Sequence, residues 1–386
     1  MTHTPTGLSR AGFVLVALGL AATFWGIAVS QICLGLAALL WLAARARDGQ
    51  WRDVPPFVVP LLLYGAWTVV SALSSADRDI SIPDLKQLLL FAVPALVAVF
   101  ARGERATLVM DAVIAAGAVS ALTGIWQYEF QGYNDLPNRA VGPLSHWMTF
   151  SGVLMLGAGA ALGRVLYART KDEWLWPGIA VPALVVALFY TLTRNAMVGL
   201  IAAVAVLAFA RNWRLLLAAP VLGLIFLVIA PGEVLSRVQS IGDLNDPTQR
   251  DRIAMVRTGV RMVQDHPLTG VGPDMVKHVY AQYRDPLAVN ETNPHLHNVP
   301  VQIAAERGLP ALGLWLWFVV TAGLSLWRQL RGGPARGVAA AGLAALVAML
   351  IAGLFEYNFG DSEFLILFLG LIALPWAAAQ PDSSTA

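Results

Sequence analysis

The sequence predicts an all-α protein that crosses a membrane about twelve times and carries one helical loop segment outside it. Three observations predict this. Hydrophobic residues fill 57% of the 386 positions and charged residues only 13%, where a soluble domain carries about 25% charged. The apolar residues are gathered into runs of the length that crosses a hydrocarbon core, which takes about 20 residues. One long stretch between the ninth and tenth runs is polar instead, with charges of both signs, Pro and Gly.

The runs cover about 11–28, 30–44, 55–75, 87–101, 107–127, 146–167, 174–192, 195–210, 213–230, 299–327, 338–356 and 362–379. The first reads as a retained helix, because no small-x-small cleavage site and polar mature domain follow it. The first two form a tight pair. Cys33, the single cysteine, sits inside an apolar run and excludes an internal disulfide or a CxxC motif. The tenth run contains Glu306, Arg307 and Pro310, which predicts a kink or an entry before the bilayer core. The 13 Trp supply interfacial belts. This divides the chain into membrane helices over 1–230, a loop domain over 231–298 and a last membrane segment over 299–386.

Short-loop charges set the orientation. With the N-terminus inside, the cytoplasmic loops carry Arg45, Arg47 and Arg52, then Arg102 and Arg105, then Arg164, Arg169 and Lys171, then Arg211 and Arg214, then Arg328, Arg331 and Arg336. The opposite short loops carry only Arg78, Lys86, Arg139 and Arg194. The positive-inside rule then places both termini in the cytoplasm and 231–298 on the outer side. A net charge of +2 gives no basis for a nucleic-acid partner.

Within the outer loop, Ile253, Val256, Val260 and Val263 recur at helical spacing and predict an amphipathic helix with those residues on its apolar face. "HPLTGVGPD" reads as a turn-rich segment ending it. Asp243, Asp246, Asp251 and Glu291 read as loop surface.

The chemistry-bearing candidates gather on this outer side. Arg194 in "TLTRNAMVGL" stands where two apolar runs meet with almost no loop. A guanidinium there is costly unless it is paired or faces an aqueous cavity; a side chain snorkelling to the interface is the plainer alternative. Arg250, Arg252, Arg257 and Arg261 add a dense cluster, and Arg grips phosphate through two parallel hydrogen bonds. Some of these only solvate the helix, at least Arg257 or Arg261. His295 and His297 precede the tenth run. Taken alone they read as polar residues capping free helix amides. Beside the arginines, one imidazole could move a proton while cations hold a diphosphate. A metal site is not expected: the i, i+2 spacing, the missing cysteines and the placing of the acids do not suit one. No Walker-type glycine loop is present.

"DHPLTGVGPD" at 265–274 and "HNVPVQIAAERGLPALG" at 297–313 together resemble the signature of the O-antigen ligase / O-antigen polymerase superfamily. His297, Asn298, Gln302, Glu306 and Gly308 fit its pattern, with the last glycine displaced to Gly313. "TLTRNAMVGL" resembles its Ser/Thr-Arg segment. "RDRIAMV" resembles its Arg-x-x-x-Trp segment with Val256 in the aromatic position.

The resemblance implies a GT-C-like membrane glycosyltransferase in a bacterial inner membrane. It would move a glycan from an undecaprenyl-diphosphate-linked donor to a sugar hydroxyl of lipid A–core, with inversion and with neither metal nor cofactor. It implies His297 as the catalytic imidazole and Arg194 and Arg252 as the essential cations, Arg250 being the rival for the second. Arg257 and His295 are further candidates for the diphosphate, and Asn298, Gln302 and Glu306 for support of the site. O-antigen polymerase and protein O-oligosaccharyltransferase remain alternatives with the same donor chemistry. A polytopic transporter is the alternative of another class; internal repeats and mid-membrane polar residues would mark it, and neither is found.

Overall fold

Where the sequence turns polar between the apolar runs the helices stop, and the runs themselves become rods. The computed structural model describes residues 6–48, 54–243 and 246–381. Every predicted run with described residues is helical. In order these are α1 (Thr6–Ala21), α2 (Ile27–Asp48), α3 (Val58–Ser74), α4 (Arg78–Asp84) continued by a 3-10 turn over Leu85–Ala92 into α5 (Val93–Phe100), α6 (Glu104–Phe130), α7 (Trp147–Tyr167), α8 (Lys171–Tyr190), α9 (Arg194–Asn212) and α10 (Ala219–Ile229). The outer loop contributes α11 (Gly232–Gln239), α12 (Pro247–Asp265) and α13 (Val276–Tyr283). The chain finishes with α14 (Val299–Gly332), α15 (Arg336–Ala352) and α16 (Ser362–Ala378). No strand occurs among the described residues; Asn134 and Arg139 form one isolated bridge. Arg52 lies outside the described residues.

The chain is an all-α polytopic membrane protein. Among the described residues, seven helical segments are long and apolar enough to cross a membrane, and α3, α15, α16 and Ile27–Ala43 are shorter apolar helices. Arg194–Ile229 counts as one of the seven, yet it is not one rod. Asn212 is extended (φ −165°, ψ 114°) and its side chain caps Arg214. Phe226 then rests against Phe189, ring centroids 5.0 Å apart, so the end of α10 returns to the end of α8. No residue of α10 is buried; a helix apolar on every side and unburied belongs in lipid.

At the centre stands α15, alanine-rich and buried along most of its length. It packs on α7 and α9, and on α14 and α16. A Cβ on Gly163 of α7 would lie 2.7 Å from the Ala341 backbone nitrogen, so only glycine allows this approach. Small-residue contacts of this kind bring helix backbones together in membranes. An aromatic cluster of Phe57, Trp315, Phe318, Phe359 and Phe368 fills the space between α14 and α16.

The expected amphipathic helix exists as α12, but its apolar face is turned from the expected one. Ile253 and Val260 are exposed, while Ala254, Met255, Thr258, Gly259 and Met262 are buried. The partner is narrow: a Cβ on Gly259 would overlap Val301 and Leu296. Close approach to the start of α14 selects the small-residue face over the β-branched one. Met255, Met262, Val271, Met275, Tyr280, Leu296 and Ala305 form a second core there.

Candidate active site

The "HPLTGVGPD" turn and the first part of α14 are one structure. Val271 N–H donates to the Ala305 carbonyl and Gly272 N–H to that of Glu306, both at 2.9 Å, and Leu309 N–H donates to the Pro267 carbonyl at 2.8 Å. This is possible because α14 breaks at Gly308 (φ +79°, ψ 172°). The backbone of Leu268 occupies the place where a side chain at 308 would stand. The expected kink is therefore real, and Gly308 rather than Pro310 makes it. The freed carbonyls find partners on α3: Ser71 Oγ donates to Glu306 at 2.9 Å and Trp67 Nε1 to Arg307 at 3.0 Å. Irregular backbone at membrane depth survives only when satisfied in this way. The break also holds two charges indoors. Arg307 Nη1 meets Glu306 Oε2 at 2.6 Å and Arg307 Nη2 meets Asp84 Oδ2 at 3.4 Å. Removing one partner from a buried set of this kind costs about 3–5 kcal/mol.

The histidine segment is clamped to the far end of α15. Asn298 caps α14 by accepting from Val301 N–H at 2.9 Å, and its Nδ2 donates to the Leu354 carbonyl at 3.0 Å. Val299 N–H donates to the Gly353 carbonyl at 2.7 Å, and Gln302 Oε1 accepts from Leu296 N–H at 2.7 Å. His297 sits between these anchors in the left-handed region, φ +49°, a conformation costly for a residue with a Cβ and one that recurs at functional sites. Its Nδ1 lies 2.8 Å from Glu356 Oε2, and His295 Nε2 lies 3.5 Å from Glu356 Oε1. Burial pushes the Glu356 carboxyl up, but the His297 hydrogen bond and the charges of both histidines and Arg252 outweigh it and hold it below its ordinary value. Burial lowers His295 to about 4.

Four guanidiniums converge beside them. Arg194, 4% exposed at the N-terminus of α9, donates to the Ser240 carbonyl at 2.9 Å and pairs with Asp246 at 3.2 Å; its buried Nε has no partner. Arg252, Arg139 and Arg237 are all held below the usual arginine range. Burial acts first in each; Arg194 adds to it in all three, and Arg252 adds to it in Arg139. Arg237 falls to about 10. Like charges packed closely enough to destabilise one another form a site that a polyanion would relieve. The arginines, both histidines and the Glu306–Arg307 pair line one cavity of about 810 Å³.

Residues 178–316 match the family model described as O-Antigen ligase. This match covers about a third of the chain and supports membership of the O-antigen ligase/polymerase superfamily. No curated protein matches it. The match to this O-antigen ligase family runs from α8 into the second half of α14. It thus contains Arg194, Arg252, His295, His297, Gln302 and Glu306 and the turn that locks them.

Of the residues singled out in the sequence, Arg194, Arg252, His295, His297, Gln302 and Glu306 line the cavity. Arg250 and Arg257 do not; both are exposed. On a helix of about 100° per residue, Arg252 points inward with Met255, and 250 and 257 are carried to the other side. Asn298 supports the site by capping rather than by lining it. Asp246 and Asp251 are not loop surface. Asp246 engages Arg194, and Asp251, 3% exposed, accepts from Val289 N–H, Asn290 N–H and Asn290 Nδ2. Glu356 escaped the sequence reading, as did the gathering of Arg139 and Arg237. The signal for Glu356 was a carboxylate closing an otherwise apolar run, costly unless paired.

His295, His297 and Glu356 also form a group able to hold a metal ion, their ligand atoms within 4.8 Å of one another. That grouping was not expected, because the carboxylate comes from a distant turn. Two ligands about 2.1 Å from a tetrahedral ion stand roughly 3.4 Å apart. The 2.8 Å separation of His297 Nδ1 and Glu356 Oε2 suits a shared proton instead.

Proposed function

We propose that this chain is an O-antigen ligase of the bacterial inner membrane. It transfers a polysaccharide from undecaprenyl diphosphate to a sugar hydroxyl of lipid A–core at the periplasmic face. The observation that carries this reading is the convergence of Arg194, Arg252, Arg139 and Arg237 with the His297–Glu356 pair on one cavity. The bilayer holds the polyprenyl tail, and Arg194 and Arg252, with Arg139 and Arg237 beside them, take the diphosphate. Their charge stabilises the leaving group as the anomeric carbon–oxygen bond breaks. Glu356 is ionised at neutral pH and accepts from Nδ1–H, so the His297 Nε2 lone pair receives the acceptor hydroxyl proton. The acceptor oxygen bonds the anomeric carbon from the side opposite the diphosphate, and the product is inverted. Arginines supply the charge neutralisation, so the step uses no metal.

The test is transfer by purified protein given lipid-linked polymer and lipid A–core in excess EDTA. Transfer should continue. Arg252→Ala should abolish it, and Arg250→Ala should leave it near wild type. Loss in chelator with recovery on adding Mg²⁺, Mn²⁺ or Zn²⁺ would make the His–Glu group a metal centre. Extension of a second lipid-linked chain, with lipid A–core ignored, would make the chain a polymerase.

A further inference from the structure

We propose that α12 lies on the membrane leaflet at the cavity end of the bundle, with Ile253, Val256 and Val260 in its apolar layer and Arg250 and Arg257 on the phosphates of anionic lipid headgroups. This seat goes beyond the transfer reading above and does not depend on it.

The β-branched stripe of α12 is left over once the fold is built. Ala254, Met255, Thr258, Gly259 and Met262 take the buried face. On the opposite face, at about 100° per residue, Ile253 and Val260 are 44% and 45% exposed, with the half-buried Val256 between them. Arg250, Arg257 and Arg261 run along the next edge, all exposed. Asp285 holds Arg261 at 3.0 Å. Neither acid of the helix interrupts the two stripes: Asp251 is buried and Asp265 is its last residue. None of Arg250, Ile253, Val256, Arg257 and Val260 lines the cavity. An apolar stripe edged by arginines is the pattern of a helix lying in a bilayer surface.

The fold sets this helix across the end of the bundle. α14 has 34 residues and α15 has 17, rods of about 50 Å and about 25 Å if straight. A short turn joins them at one end, yet at the other Val299 N–H donates to the Gly353 carbonyl at 2.7 Å. Residues 309–332 alone make a rod of about 36 Å, so the part of α14 before Gly308 adds no height and turns across the bundle. α12 runs beside that part: Gly259 faces Val301, and the turn after α12 reaches Ala305 and Glu306. One side of α12 carries the polar loop. Thr258 Oγ1 accepts from Asp285 N–H, and Asp251 accepts from Val289 and Asn290. The side with Ile253 and Val260 is open. Just past the helix, Leu268 is 67% exposed, and Leu309, whose N–H bonds the Pro267 carbonyl, is 50% exposed where an apolar span begins. The lipid-facing surface of α14 thus continues into this stripe. Guanidiniums at that level meet headgroup phosphates, which they bind as charged hydrogen-bond acceptors. The seat steadies the helix that carries Arg252 into the cavity.

The experiment uses full-length protein with Cys33→Ala and Val260→Cys, the new thiol carrying a nitrobenzoxadiazole fluorophore. It is placed in bilayers of phosphatidylcholine with phosphatidylglycerol, or of phosphatidylcholine alone. A nitroxide on the lipid acyl chain near the headgroup should quench the label more than iodide in the water does. Ile253→Ser should weaken the lipid quenching in both bilayers. Arg250→Gln with Arg257→Gln should weaken it only where phosphatidylglycerol is present, lowering the seated-to-free ratio about fivefold for each cation lost. A label that iodide quenches and the lipid nitroxide does not puts the stripe in water and overturns the seat. A label shielded from both, increasingly so as protein density in the bilayer rises, puts a second copy of the chain there and overturns it too. An arginine pair whose loss acts equally in both bilayers overturns the headgroup contact. No arm reads transfer, so the seat and the transfer reading fail separately.

Discussion

Glu356 decides which nitrogen of His297 faces the cavity. An ionised carboxylate at 2.8 Å demands a proton on Nδ1, so Nε2 is left with the free lone pair. His297→Ala should therefore lower transfer by about 10² or more, the range for removing a positioned general base. Donor binding should survive, measured separately with lipid-linked polymer. Glu356→Gln keeps the size and a hydrogen bond but not the charge that holds the proton on Nδ1; transfer should fall at every point of the pH–rate profile. A wild-type rate in Glu356→Gln would show that the carboxylate does not set the tautomer of His297. His295, lowered by burial to about 4, is neutral from pH 5 upward. His295→Ala should thus leave the shape of the profile between pH 5 and 8 unaltered and cost far less activity. His297 was singled out over His295 only through the resemblance carried by its His-Asn pair; on the residues alone both histidines read as polar groups at a helix entrance. Glu356 was not singled out at all, since its contact spans 59 positions and no periodicity encodes a meeting of two distant turns.

At the scale of elements, the lock between the 266–274 turn and α14 is built from missing side chains. Gly308 takes φ +79° with the Leu268 backbone where its Cβ would be, whereas Gly313, five residues on, has nothing within 4 Å. Gly308→Ala should cost the left-handed penalty of about 1–2 kcal/mol and more for the displaced carbonyl. Glu306 and Arg307 would be displaced with it, so both the thermal midpoint in detergent and transfer should fall. Gly313→Ala should gain about 0.5–1 kcal/mol from lower unfolded-chain entropy. Equal midpoints for the two variants would remove the lock from the account. The helices themselves were legible because length and hydropathy are local properties. The buried face of α12 was not. Pattern reading favours Ile253 and Val260, but the contact with Leu296 and Val301 is too close for them, and Ala254 and Gly259 take the interior. A helix shows its apolar stripe in sequence only when its partner has room for large side chains.

At the scale of the whole molecule, the arrangement sorts charge by end. The cavity draws on the starts of α7, α9, α14 and α16, the turn after α15, and the loop between α10 and α14. These all come to one end of the bundle, and in the chain's alternation that is the end whose short loops carry few arginines. Arg139 and Arg194 are exceptions to the short-loop charge rule, and they crowd together in the cavity with Arg237 and Arg252 of the outer loop. Cations placed against the topological rule and against one another suit an anion that reaches them from that side. The charge pattern predicts that the cavity end lies in the periplasm and the Arg164–Arg169 end in the cytoplasm. Glu291, exposed in the loop before His297, and Thr170, exposed between α7 and α8, sit on opposite sides if this holds. In a Cys33→Ala background, Glu291→Cys should react with an impermeant thiol reagent in cells whose outer membrane alone is permeabilised. Thr170→Cys should react only after the inner membrane is broken. The reverse pattern would put the arginine cluster in the cytoplasm, where a donor already delivered to the periplasmic leaflet could not meet it.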